Sequence, residues 1–398
     1  MSLGHLMKKR KLVMLGLNSG TSADGLDMAA IAITRGRQGL STKFLKGNSK
    51  SYPPQLRSQI LNLADSKSTT LEEIISINNA VGEFFGKNAA SFIKQLSHSG
   101  ITVDAVASHG QTVRHIPVAS ANAKYMRGTF QIGSLEMIST ASNKITIGDF
   151  RQADVALGHE GAPITVTAMQ RLFASNKESR LIVNIGGVSN YFYYPLNYKK
   201  LRRLAGDCGP GNSLCDILCE KLFHKRFDHY GKIASNGKPS KRILSLLLAQ
   251  PFFKNKTIST GRETFGKNFA EKIISLGVKF ELSKSNILST AAELTVLAIV
   301  NKIKPLLKRD SSLSKLYLTG GGRKNKFFVK RLIEMLNGME IVPADNLGVN
   351  ADFIEAAAYA VMGEAALRSE PLPTVFDGKQ AATSYPVLGK IVQPPVKI

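Results

Sequence analysis

The 398-residue chain has no tryptophan, only three cysteines, and far fewer acidic than basic residues, 29 against 53. A small, odd number of cysteines argues against a disulfide framework and indicates a reducing compartment. No uninterrupted apolar segment approaches the roughly 20 residues that cross a bilayer. The N-terminus also lacks the pattern of a signal peptide. These absences predict a cytoplasmic globular protein with no membrane partner.

The scarcity of acidic residues leaves a formal net charge of +24. A nucleic-acid-binding surface needs clustered Lys and Arg with aromatic residues for stacking. Here the basic residues are scattered, and the clusters at 8–11, 199–203 and 238–242 are expected in tails and loops. We therefore expect no nucleic-acid partner. A positive field of this size would attract anionic small molecules such as nucleotides.

Two of the cysteines, Cys215 and Cys219, lie four residues apart in an apolar helical pattern. Core packing is the preferred interpretation of this spacing. A metal site that recruits His224 is the alternative, and we predict no metal ligand set.

The first informative pattern is a turn between two apolar runs near the N-terminus. A run ending at Leu15 meets the small, hydroxyl-rich segment 16–22, and a second apolar run extends from Met28 to Ile33. Two such strands form a hairpin whose tip offers N–H groups to a ligand, and glycine lets the backbone approach phosphate oxygens closely. The segment is neither a Walker loop nor a GxGxxG motif, so an ordinary tight turn is the alternative.

Similar glycine turns recur twice. Gly186 and Gly187 separate two β-like runs that follow the polar segment 174–180, and residues 320–322 are three glycines between a strand and a helix predicted from Asn325. The alternation of strands and helices predicts an α/β class. We expect one domain over residues 1–176 and a second over residues 177–398. An alternative that stays open is that the last helix and the tail pack back on the first domain.

Ten short motifs follow one another along nearly the whole chain: SGTSADGLD (19–27), SHGQTVRH (108–115), TFQIGS (129–134), DFRQADVA (149–156), EGAP (160–163), NIGGVSN (184–190), DCGPGN (207–212), STGRETF (259–265), TGGG (319–322) and LGVNADFIEAAAYA (347–360). This set resembles the actin, sugar kinase and Hsp70 superfamily and, within it, the anhydro-N-acetylmuramic acid kinase family. The resemblance implies two similar actin-like (ribonuclease H-like) domains with a nucleotide cleft between them. It also implies ATP-dependent opening of a 1,6-anhydro sugar with phosphorylation at O6, yielding N-acetylmuramic acid 6-phosphate.

The implied reaction adds water at C1, and a carboxylate is the suitable base to deprotonate that water. Asp154 matches the position of the family's base, and Asp149 is the runner-up. Phosphoryl transfer needs positioning and charge neutralisation by ATP-binding loops. The predicted ATP-binding residues are Gly20, Thr21, Ser22, Ala23, Asp24, Gly25, Leu26, Asp27, Gly186, Gly187, Asn190, Asp207, Gly209, Gly211, Asn212, Gly320, Gly321 and Gly322.

Two acids of the first hairpin, Asp24 and Asp27, are candidates to hold waters around Mg²⁺, which prefers oxygen ligands and keeps much of its hydration. Capping of the turn is their alternative role. Asp207 and the glycines after it open a helix, a position that favours an anion.

The sugar carries a lactyl carboxylate, for which an arginine supplies a planar cationic partner. Arg114 and Arg151 are the two candidates, and a surface ion pair is the alternative for each. Glu355 matches a family acid that faces the substrate, and compensation of a helix dipole is its alternative role. The predicted substrate-binding residues are His109, Gln111, Thr112, Arg114, Arg151 and Glu355, with His115 as a further binding candidate.

The chain departs from the family pattern at a few positions. His159 and Glu160 stand where the family has Gly and Gln, Cys208 replaces a Thr, and Ser134 replaces an acid. Two other hypotheses stay open: a kinase for another anhydro sugar such as levoglucosan, with residues 159 and 160 altering specificity, and a nucleotide-switched actin- or Hsp70-like binding protein. The sequence also leaves open whether the chain forms a homodimer.

Overall fold

The structure, a computed structural model, describes residues 2–37, 39–66, 68–116, 125–196, 204–254, 262–374 and 385–396. Residues 259–261, which begin the STGRETF motif, lie outside these ranges, as does the basic cluster at 199–203. The described strands are β1 (Lys11–Ser19), β2 (Gly25–Gly36), β3 (Gly39–Ser51), β4 (Ala105–Ile116), β5 (Gly128–Ile132), β6 (Ile145–Gly148), β7 (Arg180–Ile185), β8 (Val188–Tyr194), β9 (Leu204–Pro210), β10 (Lys315–Thr319), β11 (Glu340–Pro343) and β12 (Lys390–Val392).

The helices alternate with these strands. The described α-helices are α1 (Leu3–Lys8), α2 (Pro54–Asp65), α3 (Leu71–His98), α4 (Leu135–Ser142), α5 (Gln152–Ala156), α6 (Val166–Phe173), α7 (Asn212–Phe223), α8 (Lys232–Ser235), α9 (Lys241–Leu248), α10 (Pro251–Lys254), α11 (Arg262–Phe265), α12 (Lys267–Lys279), α13 (Lys284–Arg309), α14 (Lys326–Met335) and α15 (Ile354–Leu367). Short 3₁₀ turns cover His229–Gly231, Gly321–Lys324 and Ala344–Leu347.

The chain divides into two compact units. Unit 1 comprises Met1–Phe173 and Gly348–Ile398, and unit 2 comprises Ala174–Leu347. The last helix, α15, therefore lies in unit 1.

Unit 1 is built on a seven-stranded sheet with the strand order β12-β6-β4-β1-β2-β3, and β5 pairs with β4 beside this path. The strands β1, β2 and β3 form an antiparallel meander. The strands β4 and β6 then continue the sheet parallel to β1. Apolar side chains of β1, β2 and α3, among them Leu15, Met28 and Phe85, are fully buried in one core.

Unit 2 repeats this topology in its five-stranded sheet, which has the order β11-β10-β7-β8-β9. Here β7, β8 and β9 form the antiparallel meander, and β10 and β11 continue parallel to β7. The two units share the order and directions of five strands, to which unit 1 adds β5 and β12. This shared topology confirms the expected α/β fold class of two similar actin-like, ribonuclease H-like domains.

The core of unit 2 surrounds α13. This helix is long and apolar enough to cross a membrane by length and composition, yet 78% of its most apolar window is buried inside the fold. Its residues Leu288, Ala292 and Ile299 are fully buried in the same core as β7 and α7. A core helix of a globular unit gives this signal as readily as a membrane span does.

Local signals define two helices that the sequence predicts. Thr70 accepts a hydrogen bond from the Glu73 N–H, and the Glu73 carboxylate accepts one from the Thr70 N–H. This reciprocal capping box starts α3, in agreement with the helical spacing of the apolar residues over 70–96. The Asn325 side chain accepts from two N–H groups at the start of α14, as expected for a helix beginning there.

Candidate functional site

The first hairpin tip, residues 20–24, lies between β1 and β2 and closes with a hydrogen bond from the Ala23 N–H to the Gly20 carbonyl (3.1 Å). Among the residues that the structure describes, none accepts a hydrogen bond from the N–H groups of Gly20, Thr21 or Ser22. Gly25 is required after the tip, because a Cβ there would lie 2.1 Å from the Lys50 carbonyl oxygen. The tip therefore offers backbone N–H donors, and the strand residue that follows it is closely packed against β3.

Gln111 holds this tip from the neighbouring strand β4. Its Nε2 donates to the Gly20 carbonyl (3.1 Å), and its Oε1 lies 2.6 Å from the Ser19 hydroxyl and 3.3 Å from the Tyr52 hydroxyl. The side chain is fully engaged and buried. Predicted as a substrate-binding residue, Gln111 is placed by the structure as a support of the hairpin.

Acidic side chains gather beside the same hairpin. Burial, and to a smaller extent the charges of Glu355, Asp352 and Asp24, raise the pKa of Asp27 to about 6. A hydrogen bond from Ser49 (2.5 Å) opposes this shift. Such a raised pKa marks a place where negative charge is disfavoured and a cation would be stabilised.

Glu355 enters this neighbourhood from the first turn of α15. Its Oε2 accepts a hydrogen bond from the buried Asn18 amide on β1 at 2.8 Å. The structure thus brings together three predicted site residues that are far apart in sequence: Asp24 and Asp27 of the hairpin and Glu355 of α15. Asn18 is a contributor that sequence reasoning missed.

Asp154 lies in α5, just past the end of β6, and only 1% of it is exposed. Its Oδ1 lies 2.9 Å from the His159 Nδ1 and also accepts a hydrogen bond from the Thr374 hydroxyl. Its Oδ2 accepts from the Gly161 N–H at 2.8 Å. The side chain is thus held by the segment that follows it and by a residue 220 positions further along the chain.

Asp149, the alternative base, has different surroundings. It adopts a left-handed backbone conformation (φ +56°) at the end of β6, and its carboxylate forms an ion pair with Lys390 of β12 at 2.5 Å. The Asp149 carboxylate is thus engaged by a cation of another strand, whereas the Asp154 carboxylate is held by hydrogen bonds to the segment that contacts Arg151. The comparison favours Asp154.

His109 and Arg151 form one cluster near Asp154. The Arg151 Nε donates to the His109 Nε2 (3.1 Å), and its Nη1 donates to the Gly161 carbonyl (2.7 Å). Burial and the adjacent guanidinium hold the pKa of His109 well below its usual range. The His109 ring stacks on Tyr359 of α15 with centroids 4.6 Å apart. His109 is therefore a neutral, fixed side chain.

The other candidates on β4 face different partners. Arg114 is exposed, and its guanidinium donates to the Ser66 carbonyl at the end of α2. Thr112 accepts a hydrogen bond from the Gln131 amide of β5 at 3.2 Å. Of the two arginine candidates, only Arg151 thus contacts the loop that holds Asp154.

The second hairpin tip, in unit 2, is tied to the start of α7. The Asn212 N–H donates to the Gly186 carbonyl (2.7 Å) and the Gly211 N–H to the Gly187 carbonyl (3.1 Å). A Cβ at Gly211 would lie 2.3 Å from the Gly186 oxygen, so only glycine fits there. Both N–H groups donate to carbonyls within the unit, so neither is available to the anion that this helix start is predicted to favour.

The third glycine turn, residues 320–322, packs against the end of β7, next to the second hairpin tip. Gly320 has φ +77°, and a Cβ on it would lie 2.3 Å from the Asn184 Oδ1; a Cβ on Gly322 would lie 2.3 Å from the Ile185 Cγ2. The structure thus brings together all three predicted glycine segments of unit 2. Beside them, β8 and β9 pair Asn190 with Asp207, and the buried Asn190 Oδ1 accepts no hydrogen bond from any described residue.

The cysteines are free and buried, and burial raises the pKa of Cys219 to about 12. Within the described ranges, no three His, Cys, Asp or Glu side chains are grouped so that they could hold a metal ion. These surroundings suit the core-packing interpretation of the α7 cysteines.

Comparison with known proteins gives one consistent answer. The family model for anhydro-N-acetylmuramic acid kinase matches residues 12–394. Relatives described as anhydro-N-acetylmuramic acid kinases include those of Caldanaerobacter subterraneus subsp. tengcongensis (33% identical, covering 97% of this chain and 98% of the relative) and Coxiella burnetii (31%, covering 95% and 96%). The relative from Trichormus variabilis is 33% identical and covers 96% of this chain and 97% of its own.

Similarity to solved structures is weak. The activator of the 2-hydroxyisocaproyl-CoA dehydratase from Clostridium difficile with bound ADPNP covers 90% of this chain and 96% of its own at 13% identity, with a TM-score of 0.39. The assignment therefore depends on the family model and the near-full-length relatives. On these grounds the chain belongs to the anhydro-N-acetylmuramic acid kinase family.

Proposed function

We propose that this chain opens the 1,6-anhydro ring of 1,6-anhydro-N-acetylmuramic acid by hydrolysis and phosphorylates O6 with ATP, yielding N-acetylmuramic acid 6-phosphate. The observation that carries the proposal at the site is the buried Asp154 carboxylate, held by hydrogen bonds to the segment 159–161 beside Arg151. The near-full-length relatives support the same substrate.

In the proposed reaction, Asp154 accepts a proton from a water molecule as the water oxygen bonds to C1. The C1–O6 bond breaks, and the O6 electron pair forms the new bond to the γ-phosphorus of ATP. The bond from that phosphorus to the β–γ bridging oxygen breaks at the same time, and ADP leaves with its electron pair. Proton transfer of this kind contributes typically about 10² to 10⁴ in rate. The ionised carboxylate also stabilises the positive charge that develops at C1. The lactyl carboxylate of the sugar is assigned to Arg151, because this guanidinium is fixed beside the base.

ATP is assigned to the glycine turns. The N–H groups of Gly20, Thr21 and Ser22, which donate to no described residue, are the proposed phosphate donors. In unit 2, the buried Asn190 Oδ1, which accepts no hydrogen bond from any described residue, supports a ligand-facing role. These observations fit a nucleotide, whose phosphates need backbone donors without intervening side chains.

Mg²⁺ would neutralise charge on the phosphates when bound. Asp24 and Asp27 are the residues proposed to hold its waters, and the burial and neighbouring acids that raise the pKa of Asp27 fit a site completed by a cation. The chain's own part is to position these oxygens on the hairpin.

The test is ATP-dependent sugar phosphate formation by the purified chain with three parallel substrates. We expect turnover with 1,6-anhydro-N-acetylmuramic acid and none with N-acetylmuramic acid, which has no bridge to open. Comparable turnover of levoglucosan would move the assignment to another anhydro sugar. Absence of any turnover despite ATP binding would overturn the kinase proposal.

A further inference from the structure

The carboxylate of Asp154 is held unevenly. Its Oδ1 is the partner of both the His159 Nδ1 (2.9 Å) and the Thr374 hydroxyl, whereas its Oδ2 accepts only from the Gly161 N–H (2.8 Å) among the described residues. An ionised carboxylate has about four lone-pair positions, two on each oxygen. Three are occupied, and the remaining one belongs to Oδ2.

The hydrogen bond between Asp154 and His159 can have only one direction when the carboxylate is ionised. A carboxylate only accepts hydrogen bonds, so the Nδ1 of His159 must carry the hydrogen and donate it. The imidazole is 20% exposed, whereas the Asp154 side chain is 2% exposed. His159 therefore covers the carboxylate on the Oδ1 side and contacts solvent with part of its own surface.

Thr374 is held in place by the segment that leads to it. The Thr167 hydroxyl of α6 donates to the carbonyl of the neighbouring Pro373. Glu370, four residues before Thr374, forms ion pairs with Arg35 and Arg171. These contacts tie residues 370–374 to β2 and α6 within unit 1, and the Thr374 hydroxyl reaches Asp154 from this anchored segment.

We infer that His159 and Thr374 are positioning residues that occupy Oδ1 of Asp154 and leave Oδ2 to take the proton from the attacking water. The inference rests on the proposed function, because it requires Asp154 to be the base. With two donors on one oxygen and one on the other, the carboxylate cannot rotate about its Cβ–Cγ bond without breaking hydrogen bonds, so its free lone pair keeps one direction. Loss of either donor loosens this orientation, and a misplacement of about 1 Å costs on the order of 10² in rate.

The experiment uses two matched pairs of variants of the full chain. His159→Leu and Thr374→Val each remove one donor at similar size, whereas His159→Asn keeps a donor at the place of Nδ1 and Thr374→Ser keeps the hydroxyl. For each variant, kcat and the two KM values are measured with 1,6-anhydro-N-acetylmuramic acid and ATP, and the thermal midpoint reports folding.

We expect His159→Leu and Thr374→Val to lower kcat by about 10- to 100-fold with the KM for ATP unchanged. His159→Asn and Thr374→Ser should recover most of the loss. Equal kcat values for the Leu variant and the wild type, or an Asn variant as impaired as Leu, would overturn the positioning role while the kinase function stands. An inactive wild type would instead overturn the proposed function and, with it, this inference.

Discussion

Replacing Asp27 by asparagine is expected to stabilise the fold while impairing the enzyme. Burial and neighbouring acids raise the pKa of Asp27 from 3.8 to about 6 in the folded protein. Between these two values the folded chain binds the proton more tightly than the unfolded chain does. The free energy of unfolding therefore falls as pH rises from about 4 to about 6 and then levels off.

The size of this effect follows from the shift. A difference of about 2 pH units corresponds to about 3 kcal/mol of destabilisation above pH 6, at about 1.4 kcal/mol per unit. Asp27→Asn removes the charge and retains an oxygen that accepts from Ser49. The variant should thus gain up to about 3 kcal/mol over the wild type at pH 7.5, and about half of that at pH 5, where part of the penalty is already relieved.

Thermal unfolding at pH 5 and pH 7.5 measures the difference, since about 1 kcal/mol moves the midpoint of a unit of this size by about 2 to 4 °C. Asp24→Asn is the matched control and should change stability far less, because the Asp24 side chain is 55% exposed and its charge is the smallest of the three acidic contributions to the pKa shift of Asp27. In ATP turnover, Asp27→Asn should lower kcat if its carboxylate holds waters of Mg²⁺. A variant no more stable than the wild type at pH 7.5, or one with an equal gain at both pH values, would refute the burial argument.

Two further substitutions test the glycine turns. Gln111→Leu removes the support of the first hairpin and should raise the KM for ATP on the order of tenfold, since a lost buried hydrogen bond costs about 1 to 3 kcal/mol; an unchanged KM in steady-state kinetics would remove Gln111 from this role. Gly320→Ala should destabilise unit 2 by about 1 to 3 kcal/mol more than Gly338→Ala in chemical denaturation. Both positions have positive φ, but only the Cβ at 320 meets atoms within 4 Å, so equal losses would contradict the packing argument.

Much of the fold could be predicted from local patterns in the sequence. The two glycine hairpins, the helix capped by Thr70 and the helix after Asn325 depend on short segments whose turn and capping residues act locally. The five-strand order that the two units share is predicted by the motif resemblance rather than by these local elements.

The functional details were less accessible because they depend on distant contacts. The Asp154 carboxylate meets Thr374 across 220 positions, and Gln111 meets Gly20 across 91. No periodicity or spacing encodes such pairs. The sequence also left Asp149 and Asp154 as alternatives, and the ion pair of Asp149 with Lys390 distinguishes them only in three dimensions. Likewise, the sequence does not distinguish Arg114 from Arg151 as the partner of the lactyl carboxylate, and only their three-dimensional contacts separate them.

The most direct test of the account compares kcat of the wild type and Asp154→Asn for N-acetylmuramic acid 6-phosphate formation from ATP and 1,6-anhydro-N-acetylmuramic acid. Removal of the base should lower kcat by at least about 10²-fold, with ATP binding and the thermal midpoint retained to show that the fold persists. An Asp154→Asn variant that forms the product at the wild-type rate would show that another group activates the water.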